Sequence, residues 1–400
     1  MSRHQATIVT LKSGKEKPGR IRHPWVFSGA IQRVHGNPQA GDIVEVRESD
    51  NRFVAYGYYN PKSQIVVRLL SWDQSEIITE EWWIRRLSES LGRRRSLIDS
   101  GVTNAVRLVH AEADRLPGLI VDTFDNLLVL QAQTAGIDRV KPLIIKHLQD
   151  TLAPSSILER TDPQARSLEG LPPARGPLEG PNPPMTVTIE EYGRKFLVDV
   201  LRGQKTGFYL DQRENRRIVA DYAGDREVLD CFAYTGGFTV HAMGKGARAI
   251  TCIESSAPSM QLLRQNVDLN CRSQSPIELI CDNAFERLRK FRDGGRQFDL
   301  VILDPPKLAP TRAHVDKALR SYKDLNLLAM KVLRPDGILA TFSCSSAVNP
   351  GRFQNAVAWA ALDAGRDVQV IQRLGQPSDH PVLLSFPESE YLKGLICRVV

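Results

Sequence analysis

Four acidic residues recur at near-regular intervals in the second half of this 400-residue chain, each at or near the end of an apolar, β-branched run. Asp230, Glu254, Asp282 and Asp304 are separated by 24, 28 and 22 residues. A strand with its crossover helix takes about 30 residues, so the spacing predicts parallel strands with an acid at each carboxyl end. In open α/β sheets those ends form the ligand crevice. We therefore expect an α/β, doubly wound sheet with these acids around one site.

The turn after the first predicted strand, Asp230–Phe238, carries two glycines but also aromatic residues at positions 232 and 234. It matches neither the Gly-x-Gly-x-x-Gly pattern of dinucleotide sites nor a Walker loop, so a nucleoside without phosphates fits better. Glu254 can accept hydrogen bonds from both ribose hydroxyls, and Asp282 with Asn283 could take an exocyclic adenine amine. Together these features indicate S-adenosylmethionine, although each acid taken singly could instead cap a helix.

Two further motifs follow the fourth and fifth predicted strands: Asp304-Pro305-Pro306-Lys307 and Ser343-Cys344-Ser345. The two prolines rigidify their turn and remove two amide donors, which leaves carbonyl oxygens for a planar, donor-rich substrate; a simple structural turn is the alternative. The fourth and fifth strands of a doubly wound sheet are neighbours, so Cys344 should face Asp304 across a few ångströms.

A cysteine beside an acid suits methylation of cytosine at carbon 5, which is a weak nucleophile. Addition of the Cys344 thiolate to carbon 6 moves electron density onto carbon 5, and Asp304 near ring nitrogen 3 is the available acid. A base must then remove the proton at carbon 5, and the sequence does not identify it. No cysteine pair has metal-binding spacing, so no metal is expected. The other five cysteines are interpreted as reduced, inert buried thiols: Cys231, Cys252, Cys271, Cys281 and Cys397.

The first 73 residues contain short strands and turn signals, which is typical of a small β-barrel. Lys and Arg outnumber Asp and Glu by seven in the whole chain, and the first 40 residues, from Arg3 to Arg33, hold seven basic side chains against one acid. With Trp25 and Phe27 beside it, this basic cluster suits phosphate contacts and base stacking; a solvated basic tail is the alternative. The residues assigned to RNA are Lys12, Lys15, Lys17, Arg20, Arg22 and Trp25.

We predict three domains: the barrel over 1–73, a central α+β domain over 74–185, and the cofactor-binding domain over 186–400. Residues 161–185 carry seven prolines, so this segment is expected to be a linker or long loop. No apolar run approaches the length of a membrane span, and the N-terminus lacks an apolar signal segment. The sequence therefore predicts a cytoplasmic protein with no membrane partner.

Six motifs, in order, resemble those of the 23S ribosomal RNA cytosine-5 methyltransferases that carry an N-terminal PUA domain. They are Arg20–Ala30, Ala113–Leu119, Gly203–Arg213, Cys231–Phe238, Asp304–Lys307 and Phe342–Ser345, and the likeness extends through Asp379–Pro381 and Tyr391–Gly394. The resemblance implies a PUA barrel, a central α+β domain and a class I, Rossmann-like methyltransferase domain that uses S-adenosylmethionine. It also implies action on one cytosine of 23S rRNA. The sequence leaves open whether the partner is naked 23S rRNA or a large-subunit assembly intermediate, and it leaves open the oligomeric state, for which a homodimer is one alternative.

The same resemblance implies roles for individual residues. The cofactor is assigned to Phe208, Gln212, Asp230, Tyr234, Thr235, Gly236, Glu254, Asp282, Asn283 and Asp304. Cys344 matches the nucleophile, and Pro305, Pro306 and Lys307 are assigned to the RNA. Lys307 stands where the wider RNA cytosine-5 methyltransferases commonly have a second cysteine that assists release, so the elimination step is the least defined.

Two other functions stay open. Asp-Pro-Pro followed by an aromatic residue is the usual signature of exocyclic-amine methylation, so an RNA methyltransferase acting on guanine N2 or adenine N6 is one alternative. Lys307 replaces that aromatic residue here. The second alternative is a catalytically inactive RNA-binding ribosome-assembly factor, and the intact acids at all four strand ends argue against it.

Overall fold

The computed structural model describes residues 7–270, 275–309 and 311–400. Arg3 of the basic cluster and Cys271 lie outside the described residues. The chain forms two compact units. The first unit comprises residues up to Val187, Val198–Phe208 and Asp379–Ser389, and the second comprises Thr188–Leu197, Tyr209–Ser378 and Glu390–Val400. The three-domain division, with boundaries at 73 and 185, stays a prediction.

The first unit begins with a six-stranded, mostly antiparallel sheet. Its elements are β1 (Ile8–Leu11), α1 (Lys17–Arg20), β2 (Trp25–Phe27), β3 (Ile31–His35), β4 (Ile43–Arg47), β5 (Phe53–Tyr59) and β6 (Ile65–Ser71). The strand order is β2-β6-β5-β4-β1-β3, and β1 runs parallel to β4. The predicted short strands of this region are confirmed, and Val and Leu side chains such as Val9, Leu11, Val44, Val46 and Val67 form their core. The three residues of β2 are too few to show an alternation.

A five-stranded sheet completes the first unit. Its elements are α2 (Glu80–Asp99), β7 (Ala105–His110), β8 (Leu119–Phe124), β9 (Leu127–Ala132), α3 (Ala135–Leu152), β10 (Ser156–Arg160), α4 (Pro163–Leu168) and β11 (Arg175–Glu179), with strand order β11-β10-β9-β8-β7. The predicted linker over 161–185 was wrong in two places. Helix α4 accepts Pro163 in its first turn, where no amide donor is needed, behind the N-cap Asp162. Strand β11 accepts Pro177 because it is an edge strand.

The second unit contains the predicted parallel sheet. Its helices are α5 (Arg213–Ala220), α6 (Gly237–Gly244), α7 (Ala257–Leu269), α8 (Ala284–Asp293), α9 (Val315–Lys331) and α10 (Pro350–Ala364). After the hairpin of β12 (Thr186–Glu191) and β13 (Arg194–Asp199), its strands are β14 (Glu227–Cys231), β15 (Ala249–Glu254), β16 (Ile277–Cys281), β17 (Phe298–Leu303), β18 (Leu333–Ser343), β19 (Val368–Leu374) and β20 (Lys393–Val399).

The order of this seven-stranded sheet is β16-β15-β14-β17-β18-β20-β19. The first five strands run parallel, and β20 is antiparallel to both of its neighbours. The chain moves outward through β15 and β16, then returns to the other side of β14 with β17. This reversal leaves a crevice at the carboxyl ends of β14 and β17, which is where ligands bind in such sheets.

A buried ion-pair network connects the hairpin to the helices of the second unit. Glu191, 1% exposed, accepts two hydrogen bonds from Arg216, at 2.8 and 2.6 Å, and its Oε1 lies 3.0 Å from His241 Nε2. Burial alone would raise the pKa of Glu191, but the charge of Arg216 and the contact with His241 outweigh it and hold the pKa at about 2. The network therefore connects Glu191 of the hairpin to α5 through Arg216 and to α6 through His241.

No helix in the described residues is both long and apolar enough to cross a membrane.

Candidate active site

The loop between β14 and α6 has an unusual backbone. Phe232, Tyr234 and Gly236 all adopt positive φ, at 63°, 49° and 85°. A Cβ atom on Gly236 would lie 2.9 Å from the side chain of Leu263, so only glycine fits. Left-handed conformations of aromatic residues are costly and concentrate at functional sites. This geometry therefore marks the loop as a candidate ligand-binding segment.

Glu254, at the end of β15, holds this loop in place. Its Oε2 accepts a hydrogen bond from the Tyr234 amide at 2.9 Å, and its Oε1 accepts one from the Ser256 amide at 2.8 Å. Within the loop, the hydroxyl of Thr235 is buried and has no hydrogen-bond partner among the described residues. A buried, unsatisfied hydroxyl costs about 1–3 kcal/mol, which a bound ligand could recover.

Asp230 lies within β14 rather than after it, and it is 1% exposed. Its Oδ2 accepts a hydrogen bond from Thr239 Oγ1 at 2.6 Å. Burial raises the pKa of Asp230 to about 7, against the smaller opposing effect of the Thr239 hydrogen bonds. This carboxyl group therefore titrates near neutral pH, and a cationic group bound beside it would favour its ionised form.

Asp282 and Asn283, the two residues assigned to the adenine ring, follow the end of β16, and both already form hydrogen bonds or ion pairs within the protein. Asp282 pairs with Arg287 at 2.8 Å and with Lys290 at 3.4 Å. Asn283 is the N-cap of α8: its Oδ1 accepts hydrogen bonds from the amides of Phe285 and Glu286, at 2.9 and 3.3 Å. The helix-cap alternative is thus the observed arrangement for Asn283, while its amide nitrogen is still available for a ligand.

Phe208 and Gln212, which the resemblance assigned to the cofactor, are both buried. Phe208 is 2% exposed and belongs to the first unit. Gln212 is 2% exposed, belongs to the second unit, and accepts a hydrogen bond from Asn215 Nδ2 at 2.6 Å. Their contact with a cofactor stays a prediction.

The reacting residues lie at the ends of two adjacent strands. Leu303 of β17 pairs with Thr341 of β18, so the predicted adjacency of the fourth and fifth strands is confirmed. Cys344 is half-buried, and its Sγ lies 4.0 Å from the carbonyl oxygen of Pro305. Asp304 is half-buried, whereas Pro306 and Lys307 are exposed. The Cys344 thiol and the Pro305 carbonyl therefore lie together at the carboxyl ends of β17 and β18, where Asp304 directly follows the last residue of β17.

Ser345 anchors the cysteine loop. The side chain of Ser345 is fully buried; its Oγ accepts a hydrogen bond from the Ala309 amide at 3.1 Å and lies 3.2 Å from the hydroxyl of Tyr322. Lys393 Nζ donates to the Ser345 carbonyl at 2.7 Å. These contacts fix the side chain and the carbonyl of Ser345, the residue that follows Cys344.

Sequence reasoning missed two residues beside the cysteine. Burial lowers the pKa of Lys393 to about 8, partly offset by the nearby negative charge of Cys344. Burial raises the pKa of Tyr209, which the charges of Asp304 and Cys344 raise further, and its ring stands edge-on to Tyr234 with 5.4 Å between centroids. Both residues lie in motifs quoted for the family resemblance. The sequence of such a motif, however, does not show which strand end a single Lys or Tyr side chain will lie beside.

The remaining cysteines differ from the prediction at one position. Cys231, Cys252 and Cys397 are buried, and burial raises the pKa of each thiol. Cys281 is exposed, so its interpretation as a buried thiol was wrong. It ends β16, which is an edge strand with no neighbour to cover it.

The basic cluster of the first unit is mostly exposed. Lys12, Lys15, Lys17, Arg20 and Arg22 are all exposed. Arg20 forms a two-pronged ion pair with Glu48, with both distances 2.6 Å. Trp25 is half-buried: its indole nitrogen donates to Glu112 at 2.8 Å, and its ring packs on Phe386 with 4.6 Å between centroids. The stacking of a base on Trp25 stays a prediction.

Known protein families match the N-terminal region and the C-terminal half of the chain. A family model for a PUA-like domain matches residues 9–72, and one for S-adenosylmethionine-dependent methyltransferases matches residues 174–396. Ribosomal RNA large subunit methyltransferase I of Pseudoalteromonas translucida is 42% identical over 393 residues, which cover 98% of this chain and 99% of that protein. The chain belongs to the ribosomal RNA large subunit methyltransferase I family.

Other members of this family are equally similar. The proteins of the same name from Shewanella denitrificans and Escherichia coli are 43% and 41% identical over 395 and 392 residues, covering 98% of this chain and 100% and 99% of theirs. Among solved structures, an S-adenosylmethionine-dependent methyltransferase from Streptococcus mutans has a TM-score of 0.84 at 19% identity, and SMU.776, a methyltransferase complexed with SAH, has 0.86 at 20%. Each covers 98% of this chain and 100% of its own.

These findings confirm three predictions for this family member. It has an N-terminal PUA-like domain. Its second unit has the class I methyltransferase fold, and it is an S-adenosylmethionine-dependent methyltransferase. The likeness to the two solved structures supports the fold alone.

The buried carboxyl of Asp230 generates a stability prediction. Its folded pKa of about 7 exceeds the ordinary 3.8, so ionising it costs the native state stability as pH rises between these values, and the full cost persists above about pH 7. Asp230→Asn should therefore raise the melting temperature of the cofactor-free protein at about pH 8, and the gain should shrink toward about pH 5.

Asp299→Asn is the matched control. Hydrogen bonds from the Glu227 amide and Arg334 outweigh the burial of Asp299 and lower its pKa, so its replacement should destabilise the protein at neutral pH. A lower melting temperature for Asp230→Asn than for wild type at about pH 8 would contradict the proposed burial cost.

Proposed function

We propose that the protein methylates carbon 5 of a cytosine in large-subunit ribosomal RNA through a covalent adduct with Cys344. The observation that carries this proposal is the position of Cys344 Sγ, 4.0 Å from Pro305 O at the end of the strand next to Asp304. The relatives described above act, by name, on ribosomal RNA of the large subunit. The choice of carbon 5 rests on the cysteine, because only a poorly nucleophilic ring carbon needs one.

The residues around β14 fit S-adenosylmethionine. The unsatisfied Thr235 hydroxyl and the space that glycine leaves at position 236 lie in one loop. We assign the methionine end to Asp230, Tyr234, Thr235 and Gly236. Glu254 would hold the ribose through the lone pairs left on its two carboxylate oxygens, while the adenine would meet the free amide nitrogen of Asn283 and the carboxylate of Asp282. When bound, the cofactor supplies an electrophilic methyl group.

Cys344 starts the reaction. Its thiolate adds to carbon 6 of the cytosine, and the electron pair of the carbon 5–carbon 6 double bond moves toward ring nitrogen 3. Asp304, as the acid at nitrogen 3, donates a proton there and gives an enamine whose carbon 5 is nucleophilic. Carbon 5 then takes the methyl group, and loss of its proton to a base restores the double bond as the bond from Cys344 to carbon 6 breaks. Nitrogen 3 returns its proton to Asp304, so that the carboxyl group and the Cys344 thiolate are both regenerated.

The turn after Asp304 positions the base for this chemistry. Pro305 is buried and its carbonyl points toward the Cys344 loop, so it can accept a hydrogen bond from the exocyclic amine of cytosine. Pro306 and Lys307 are exposed and face outward, where Lys307 can meet the RNA phosphates. A cytosine that is stacked in a helix must be flipped out to reach this pocket.

Lys393 is a positioning residue for the thiolate in this proposal. It pairs with Ser343 across β18 and β20, and its ammonium group bonds to the Ser345 carbonyl, so it flanks Cys344 from the neighbouring strand. Lys393 is 5% exposed, and a buried cation close to a thiol favours the thiolate. Because its pKa is about 8, the ammonium form is present below that pH and is lost above it.

Methylation of an exocyclic amine, on guanine N2 or adenine N6, is the second candidate function. The Asp-Pro-Pro sequence favours it, since the same turn serves amine substrates. It gives no role to Cys344, and an aromatic residue that would hold the base is replaced by the exposed Lys307.

Cys344→Ala tests the covalent mechanism. We expect this variant to lose methyl transfer to 23S rRNA while its affinity for S-adenosylhomocysteine stays within a few-fold of wild type, because Cys344 contacts the substrate base. RNA that contains 5-fluorocytidine should trap a stable complex with wild type, since fluorine cannot leave carbon 5 as a proton does. Radiolabel transfer and denaturing electrophoresis measure the two effects.

The matched control is Cys281→Ala, which removes an exposed cysteine at another strand end. It should keep both methyl transfer and trapping. Full methyl transfer by Cys344→Ala would rule out the adduct.

Lys393→Met tests the positioning role through pH. Loss of the ammonium should slow alkylation of Cys344 by iodoacetamide several-fold at about pH 7, because an opposite charge within reach shifts a thiol toward its ionised form. The difference should disappear above about pH 9, where the Lys393 ammonium of wild type is itself deprotonated. Mass spectrometry of the Cys344 peptide gives the rate.

Lys331→Met is the control for this experiment. Lys331 also donates to a backbone carbonyl, that of Ala364 at 2.8 Å, but on the far end of α9. Its replacement should leave the pH profile of Cys344 unchanged. An unchanged profile in Lys393→Met as well would show that this lysine only supports the loop.

A further inference from the structure

Two arginines of the first unit line one cleft without a carboxylate partner. Arg22 and Arg115 lie in its wall with Trp72, Glu112 and Leu383. Within the described residues, neither guanidinium has an ion pair or a side-chain hydrogen bond. The buried arginines Arg68, Arg94 and Arg107 of the same unit each pair with a carboxylate. Arg22 and Arg115 instead give this cleft positive charge that no ion pair within the described residues compensates.

Both arginines are held by rigid backbone. Arg115 follows the short helix Ala111–Asp114 with φ at 59°, and Arg22 follows α1 with φ at 63°. The Arg115 and Leu116 amides donate back to the carbonyls of Glu112 and Ala111, at 3.0 and 3.1 Å. Left-handed conformations outside glycine are costly and are kept where a fixed side-chain direction is useful.

Trp72 connects the two arginine loops. Its indole nitrogen donates to the Gly19 carbonyl at 2.8 Å, within the helix that leads to Arg22. The guanidinium of Arg115 lies over its ring, 5.8 Å from the centroid. A planar cation stacked on an aromatic face keeps its N–H groups directed sideways, where they can bind an anion. Arg115 is thus pre-organised, and it is only half-buried.

The charged side chains near the cleft also favour the binding of an anion beside Arg115. Glu112, the carboxylate of the cleft wall, already bonds to the Trp25 indole at 2.8 Å and pairs with Arg68 at 3.4 Å. Burial lowers the pKa of Arg115, and the like charges of Arg86, Arg22 and Arg93 lower it further. A bound anion would relieve this repulsion.

We propose that Arg22 and Arg115 form a binding site for an RNA phosphate on the first unit. The site joins two of the motifs quoted for the family resemblance, and Arg115 was assigned no role from the sequence. A phosphodiester suits it because a guanidinium fork matches two phosphate oxygens and because a polyanion releases counterions when it binds. The inference rests on the proposed function only in taking RNA as the partner.

Binding of a fluorescently labelled 23S rRNA transcript to the full chain, as a function of salt, tests the site. Arg115→Ala should weaken binding several-fold and make the slope of log K against log salt shallower by about one unit, and the double variant with Arg22→Ala by about two. Arg115→Lys should recover part of the affinity. Arg95→Ala is the control, since Arg95 is 82% exposed on α2 and pairs with Asp99; its slope should match wild type.

The outcomes separate a phosphate site from other roles. An unchanged slope with a lower melting temperature in Arg115→Ala would make the arginine a packing contact on Trp72 and overturn the proposal. Millimolar inorganic phosphate that stabilises wild type but not the double variant, with no change in RNA binding, would identify a small-anion site and also overturn it. Binding is measured without methyl transfer, so a shallower slope in a protein that forms no 5-methylcytosine would support the site and refute the proposed chemistry instead.

Discussion

The parallel pairing of β17 with β18 is the constraint on which the candidate site depends. It places the turn after Leu303 and the turn after Ser343 at one sheet edge, so that Asp304, Pro305 and Cys344 converge although they are about 40 residues apart in sequence. Crossover helices on both faces bury these strands, and Tyr322 and Phe353 pack against each other from α9 and α10. A shift of one residue in this register would turn Cys344 to the other face of the sheet.

The site contains two buried ionisable groups of opposite type, the carboxyl of Asp230 and the amine of Lys393. On the cofactor side, Asp230 is buried without a cation, which raises its pKa to about 7. On the reacting side, burial lowers the pKa of Lys393 to about 8, although the negative charges of Cys344 and Glu390 partly offset it. Neither Asp230 nor Lys393 forms an ion pair within the described residues, whereas buried charges usually have one. The methionine ammonium of the cofactor would supply one missing charge, and the Cys344 thiolate the other, so the proposed function explains both costs.

Those parts of the site that could be predicted from the sequence have a pattern within one short segment of the chain. Strands β14 to β17 follow from β-branched runs at regular spacing, and Cys344 follows from its place at a strand end. Lys393 could not be found this way, because β20 inserts antiparallel beside β18 from about 50 residues further along the chain. Such a pairing is set by tertiary packing and leaves no local pattern. The unsatisfied hydroxyl of Thr235 likewise depends on three-dimensional packing.

The errors of the sequence interpretation have equally specific causes. Proline content alone predicted a loop over 161–185, but Pro163 begins a helix and Pro177 lies on a sheet edge, the two positions where proline costs least. Cys281 was interpreted as a buried thiol because lone cysteines are usually buried, yet it ends an edge strand and is exposed. In each case the position of the residue within its helix or sheet, and not the residue type alone, determined the local structure or the exposure of the side chain.

Formation of 5-methylcytosine in large-subunit ribosomal RNA can be tested by mass spectrometry of nuclease-digested 23S rRNA from a strain that lacks the gene, compared with its parent and with a complemented strain. We expect the loss of 5-methylcytosine at one cytosine and its return on complementation. Unchanged 5-methylcytosine together with loss of an N2-methylguanine or N6-methyladenine would contradict it.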